Sequence, residues 1–171
     1  MNAGDKIVQQ LGLEPVPDEG GSFVRIYTGS PQTDTDSPSA TSILYLLRGT
    51  ECSRWHRLAC DELWNYHAGS SARQLLLYPD GSWDERTIGP DVLAGEKPQS
   101  IVPAGTWQST ILTSRAADSW GLFGTVCIPG FEYGHYTGGK TEDLIKQYPD
   151  AAERIRAFGK NIPSNGIKTE G

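Results

Sequence analysis

His56 and Glu62 stand six residues apart, bracketed by Gly49 and Gly69. An imidazole and a carboxylate in one pocket can serve as metal ligands or as an acid–base pair. The two can meet if one strand enters through residues 52–58, turns tightly at 59–61 and leaves as a second strand from Glu62. Side chains of a strand alternate between faces, so such a turn can put both groups on one side of a sheet. Trp64 and Tyr66 share the parity of Glu62 and would face the same cavity, whereas His67 would point away. Aromatic walls with a few polar groups describe many small-molecule pockets. Cys52, His56 and Cys60 are spaced by four, which would align them on an uninterrupted strand. Cys60 falls in the turn, however, and a free cysteine usually packs as a small buried hydrophobe.

The elements that must hold these residues read as short strands. A chain of 171 residues is about one domain by the length prior, and it is long enough to bury a core without metal or disulfide staples. Twenty glycines and eleven prolines imply many turns and favour an all-β architecture. Strand-like runs occupy residues 22–27, 42–47, 62–67, 72–78, 82–88, 99–102, 107–112 and 120–128. Asp80-Gly81 is the clearest hairpin turn, with Gly81 able to adopt positive φ. Residues 29–41 form an exposed polar loop. Helical spacing of Ile7, Val8 and Leu11 predicts a helix over 3–11 that stops at Gly12. A second helical run follows Thr141, its expected N-cap, through Tyr148; a third begins at Pro149 and stops at Gly159. Residues 1–161 are therefore expected to form a single domain, with a β core at about 20–135, helices at about 140–160 and a flexible tail at 162–171.

Composition excludes several classes of partner. A net charge of −6 without a run of cations argues against nucleic acid and against membrane surfaces. The apolar run at residues 43–47 is far short of the ~20 residues that span a bilayer. Three cysteines suit a reducing compartment better than a disulfide scaffold. With no signal peptide visible in the first residues, the expected location is cytoplasmic.

A second block, residues 95–108, carries Pro103-Ala104-Gly105 ahead of the strand at Trp107. With it, the chain resembles the cupins. Their first motif matches at Gly49, His56, Glu62 and Gly69; their second, Pro-x-Gly-x-x-His, matches at Pro103, Gly105 and Gln108, where glutamine stands in the histidine's place. Residues 55–58, 61–64, 75–81, 102–108 and 129–133 resemble the cupin-5 group more specifically, and residues 19–23 resemble its entry segment. The resemblance covers most of residues 5–150 and implies a double-stranded β-helix, or jelly roll, often dimeric, whose inner face forms a cup. It also implies kinship in fold with metal-independent sugar-nucleotide epimerases, which use a histidine base and a tyrosine acid. His56 would be the matching base, and Tyr66 and Tyr45 are the candidates for the acid by strand position. Arg25, expected near the cup mouth, could bind an anionic ligand, as could Arg57 and Arg73.

Typical metal cupins present two histidines and a glutamate from the first motif and a histidine from the second. This chain offers His56, Leu58, Glu62 and Gln108 at those places. Leucine cannot ligate and a glutamine amide binds transition ions weakly, so no cofactor is expected and a catalytic metal is disfavoured. The preferred reading is an enzyme that moves a proton on a small polar or carbohydrate-like molecule, with His56 as base and Glu62 and Gln108 orienting the substrate. The alternatives are a non-catalytic small-molecule-binding cup and a metal-dependent isomerase or dioxygenase.

Overall fold

A computed structural model describes residues 1–159 of the chain. Helix α1 (Ala3–Leu11) opens on a capping box, in which Asn2 and Asp5 each accept the other's backbone N–H, and ends at Gly12 with φ 63°. The helix limits agree with the sequence reading. The strands that follow are β1 (Glu14–Pro15), β2 (Ser22–Thr28), β3 (Thr41–Arg48), β4 (Cys52–Leu58), β5 (Asp61–Gly69) and β6 (Ala72–Leu77). They continue as β7 (Trp83–Ile88), β8 (Gln99–Val102), β9 (Trp107–Leu112), β10 (Trp120–Ile128) and β11 (Tyr136–Gly138).

Two antiparallel sheets result, in the orders β1-β2-β3-β10-β5-β8 and β11-β4-β9-β6-β7. They face one another as a jelly roll, the all-β class expected. Between them lies an apolar filling that includes Tyr45, Trp64, Leu76, Val102 and Phe123. Every residue of β9 is buried, because its inner face meets this filling and its outer face is covered by helices. Those helices are α2 (Thr141–Gln147) and α3 (Ala152–Gly159), joined through a 3-10 turn at Pro149–Ala151. Leu144, Tyr148, Ile155 and Phe158 pack there on Trp55 and Trp107.

Two local details depart from expectation. Thr141 is the first residue of α2 rather than its N-cap; Lys140 holds the cap position with no side-chain bond, and a Cβ on Gly159 would lie 2.8 Å from the Thr141 hydroxyl, so that side chain faces α3 instead. Strands β1 and β11, only two and three residues long, carry too little alternation to be read from sequence. The tail expected at 162–171 lies outside the described residues. Among the described residues, no helix is long and apolar enough to cross a membrane.

Candidate functional site

A β-bulge builds the site. Along β4 and β9, Ser53 pairs with Thr110 and His56 with Gln108, so β4 holds one residue more than its partner between these pairs. Strict alternation would send Ser53 and His56 to opposite faces; the extra residue turns both inward. It also frees the backbone of Arg54 from the ladder. The Arg54 N–H donates to the Glu19 carbonyl at 2.8 Å, and the Arg54 carbonyl accepts from His56 Nδ1 at 2.7 Å. A carbonyl can only accept, so Nδ1 carries the proton and Nε2 is left as the basic nitrogen. Nε2 lies 4.0 Å from Glu19 Oε1.

Glu19 reaches this position on a strap, residues 16–21, that folds across the sheets. The Gly20 N–H donates to the Val16 carbonyl and the Val16 N–H to the Gly21 carbonyl. Gly20 and Gly21 have φ of 96° and 76°, a conformation glycine adopts without penalty. The Tyr45 hydroxyl donates to the Gly20 carbonyl at 2.7 Å, and the Ser53 hydroxyl donates to Glu19 Oε1 at 2.8 Å.

Opposite stands Glu62, paired across β5 with Cys127 on one side and Val102 on the other. Its Oε2 accepts from Gln108 Nε2 at 2.7 Å. The Trp64 indole N–H lies beside the same carboxylate without closing a hydrogen bond. Burial pushes the Glu62 carboxyl up from its ordinary value; His56 opposes that shift and the charge of Glu19 adds to it. Burial likewise raises the hydroxyls of Tyr45 and Tyr136, Tyr136 to about 12, and Glu19 is the next cause for each. Tyr136, on β11, sits nearly parallel to the His56 ring, with centroids 5.4 Å apart and planes 14° apart. Its hydroxyl has no hydrogen-bond partner among the described residues.

These groups surround a cavity of about 440 Å³, an ordinary size for a small-molecule site. Of the residues singled out from the sequence, Arg25, Tyr45, His56, Glu62 and Trp64 line it, Arg25 from an exposed position. Gln108 is buried behind Glu62 rather than in the lining, and positions the carboxylate. Tyr66 is not brought to the site: Trp64 and Phe123 fill the space between, and its hydroxyl donates to the Gly69 carbonyl at 2.7 Å. Arg57 and Arg73 lie on the helix-covered side, stacked over Trp107 and Phe158. Glu19, Ser53 and Tyr136 were not singled out. The paired glycines after Glu19 were the available signal for the strap, since two adjacent glycines ahead of a strand mark a tight approach.

The donor set does not fit the metal centre of metal cupins. Leu58 forms cavity wall where a second imidazole would be needed, and the Gln108 amide is committed to Glu62. Among the described residues, no group of three His, Cys, Asp or Glu is arranged to hold a metal ion.

Comparison with known proteins agrees with the fold. The family described as Cupin_5, cupin superfamily (DUF985), matches residues 5–138. An uncharacterized protein of Saccharomyces cerevisiae, YML079W, is 34% identical over 73 residues, 42% of this chain and 36% of the yeast protein; the match thus spans about a third of that relative's length. The crystal structure of protein SO0799 from Shewanella oneidensis is 32% identical, covers 92% of this chain and 97% of its own, and superposes with a TM-score of 0.82. Oxalate decarboxylase of Bacillus subtilis, 16% identical over 85% of this chain and 37% of that one, has a TM-score of 0.54 and shares the fold alone. The chain belongs to the Cupin_5 family of the cupin superfamily.

Proposed function

We propose that the cup binds a small polar molecule and moves a proton on it without a metal, with His56 Nε2 as the base. The observation that carries this reading is the 2.7 Å bond from His56 Nδ1 to the Arg54 carbonyl, which commits the Nδ1 proton and leaves Nε2 as the nitrogen that exchanges a proton with the cavity. Glu19, 4.0 Å away, stabilises the imidazolium that forms when Nε2 takes a proton. Tyr136 is the phenol suited to return one: it is neutral at ordinary pH, and its hydroxyl is uncommitted. Tyr45 is less suited, because its hydroxyl is bonded to the Gly20 carbonyl. His56 and Tyr136 are stacked, so no substrate fits between them and both act from one side. A proton shift along one face of the substrate, an isomerisation, suits that arrangement better than inversion at a carbon. Glu62, set by Gln108, orients the substrate.

Incubation with candidate hydroxy-carbonyl compounds in heavy water, followed by mass spectrometry, tests the proposal. Wild type should incorporate deuterium, His56→Ala should lose about 10²–10⁴-fold of that rate, and chelator should leave it unchanged. Equal exchange by His56→Ala sinks the role of His56 as base, and no exchange by wild type leaves the non-catalytic cup; stoichiometric iron, zinc, nickel or manganese in the active protein sinks its metal independence. The homodimer belongs to the same proposal. Strand β1 pairs with β2 only at Ser22 and Phe23, so the rest of that edge, with Ile26 and Tyr27 more than half exposed, is open to a second copy, and sedimentation equilibrium would read it.

A further inference from the structure

The charges around the cavity are lopsided. Asp18, Glu19 and Glu62 line it, against one guanidinium, Arg25, at an exposed position. Among the described residues, Glu19 has no cationic partner within salt-bridge distance other than the His56 imidazole at 4.0 Å, and its side chain accepts from the Ser53 hydroxyl. Glu62 is bonded to a neutral amide. The field is felt by the neighbours: behind burial, Glu19 is the next cause holding the Tyr45 and Tyr136 protons on, with Arg54 opposing at Tyr136, and it raises Glu62 against the larger opposing pull of His56. Such a cavity repels phosphates and carboxylates and attracts cations.

The walls are matched to the same kind of ligand. Tyr45, Trp64, Phe131, Tyr133 and Tyr136 all contribute rings to the lining, and Phe131 and Tyr133 meet edge to face with centroids 5.5 Å apart. Aromatic faces beside carboxylates hold alkylated ammonium groups, because the ring quadrupole and the anion both attract the charge while the methyl groups are buried. The Trp64 indole N–H, in a side chain only 1% exposed, leans toward the Glu62 carboxylate at the cavity wall and closes no hydrogen bond of good geometry. It offers a donor for an oxygen on the same molecule.

From this convergence of carboxylates, rings and an indole N–H we infer that the ligand of the cup is a small organic ammonium ion that also bears an oxygen, held with its cationic end between Glu19 and the aromatic walls. The inference rests on the cavity being the ligand site, as proposed above, and not on turnover. It also removes sugar nucleotides and other anions from the substrate class.

Isothermal titration of the full chain with choline, with its uncharged isostere 3,3-dimethylbutan-1-ol and with glucose 1-phosphate tests it. Choline should bind about tenfold or more tightly than the isostere, and glucose 1-phosphate should not compete. Glu19→Gln should weaken choline about tenfold without changing affinity for the isostere. Tyr133 is 79% exposed, so Tyr133→Leu cannot act by unfolding the core, and it too should weaken choline selectively. The inference is overturned if the isostere or the sugar phosphate binds as tightly as choline, if both variants bind choline like wild type, or if choline shows no binding up to ~10 mM. Choline binding by a wild-type protein that exchanges no proton on any substrate would leave this inference standing and sink the catalytic one; exchange on an anionic substrate would do the reverse.

Discussion

Glu62 is a carboxyl 7% exposed, and its environment is divided. Burial favours the protonated form, while His56 and the Gln108 amide favour the anion; burial is the largest cause, and the group titrates above its ordinary 4.5. A carboxyl whose affinity for its proton is higher in the folded state than in the unfolded one stabilises the fold fully below 4.5, and that contribution is lost as pH rises through the folded value. Replacing it by the neutral isostere removes this dependence. Glu62→Gln should therefore match wild type in thermal unfolding near pH 4 and gain on it progressively as pH rises toward neutrality, with the Gln108 contact retained through the new amide oxygen. A gap that widens instead toward acid would mean that Glu62 is held as an anion. At this scale the pair His56–Glu62 was legible from spacing alone, as was the parity of Trp64. Tyr66 shares that parity, yet the cavity ends before it, because sequence alternation gives a face and not a depth; Trp64 and Phe123 use up the intervening space.

The elements that make the site are a bulge and a strap, and neither is written as a pattern. One extra residue between Ser53 and His56 leaves the strand reading otherwise intact; strict alternation would put Ser53 on the face opposite His56, whereas its hydroxyl holds Glu19. Hairpins were easier: Asp80 Oδ1 accepts from the Ser82 N–H at 2.9 Å and Gly81 has φ 89°, as turn chemistry demands. The contrast supplies a test of the strap. A Cβ on Gly21 would lie 2.6 Å from the Tyr45 hydroxyl, whereas one on Gly81 meets nothing within 4 Å. Both glycines carry positive φ, so either alanine costs about 1–2 kcal/mol of backbone strain. Gly21→Ala must in addition move the strap or the tyrosine, and Glu19 with it. We expect Gly81→Ala to lower the unfolding midpoint alone, and Gly21→Ala to lower it further and weaken choline binding. Equal binding by the two variants would mean that the strap does not set Glu19.

For the molecule as a whole, the second sheet is a partition. Its inner face carries His56 and Gln108; its outer face carries Trp55 and Trp107 under α2 and α3. The spacing of Leu144, Tyr148, Ile155 and Phe158 made those helices legible, because an amphipathic period of 3.6 survives even in short segments. Where they dock was not legible, since β9 carries polar and apolar residues on both faces of the strand, and strand parity cannot name the covering element. Phe158 is 1% exposed, tilted against Trp55 at 6.4 Å, with the Arg73 guanidinium over its ring. Truncating it leaves a cavity in this outer core and should cost about 3–5 kcal/mol. The inner cluster of Tyr45, Trp64 and Phe123 is separate from it, with the backbone of the sheet between. Phe158→Ala should thus shift the urea midpoint strongly with an unchanged slope, while the folded fraction binds choline with wild-type affinity. A loss of affinity in step with the loss of stability would mean that the helices tension β4, and that the position of His56 depends on the cover as well as on the bulge.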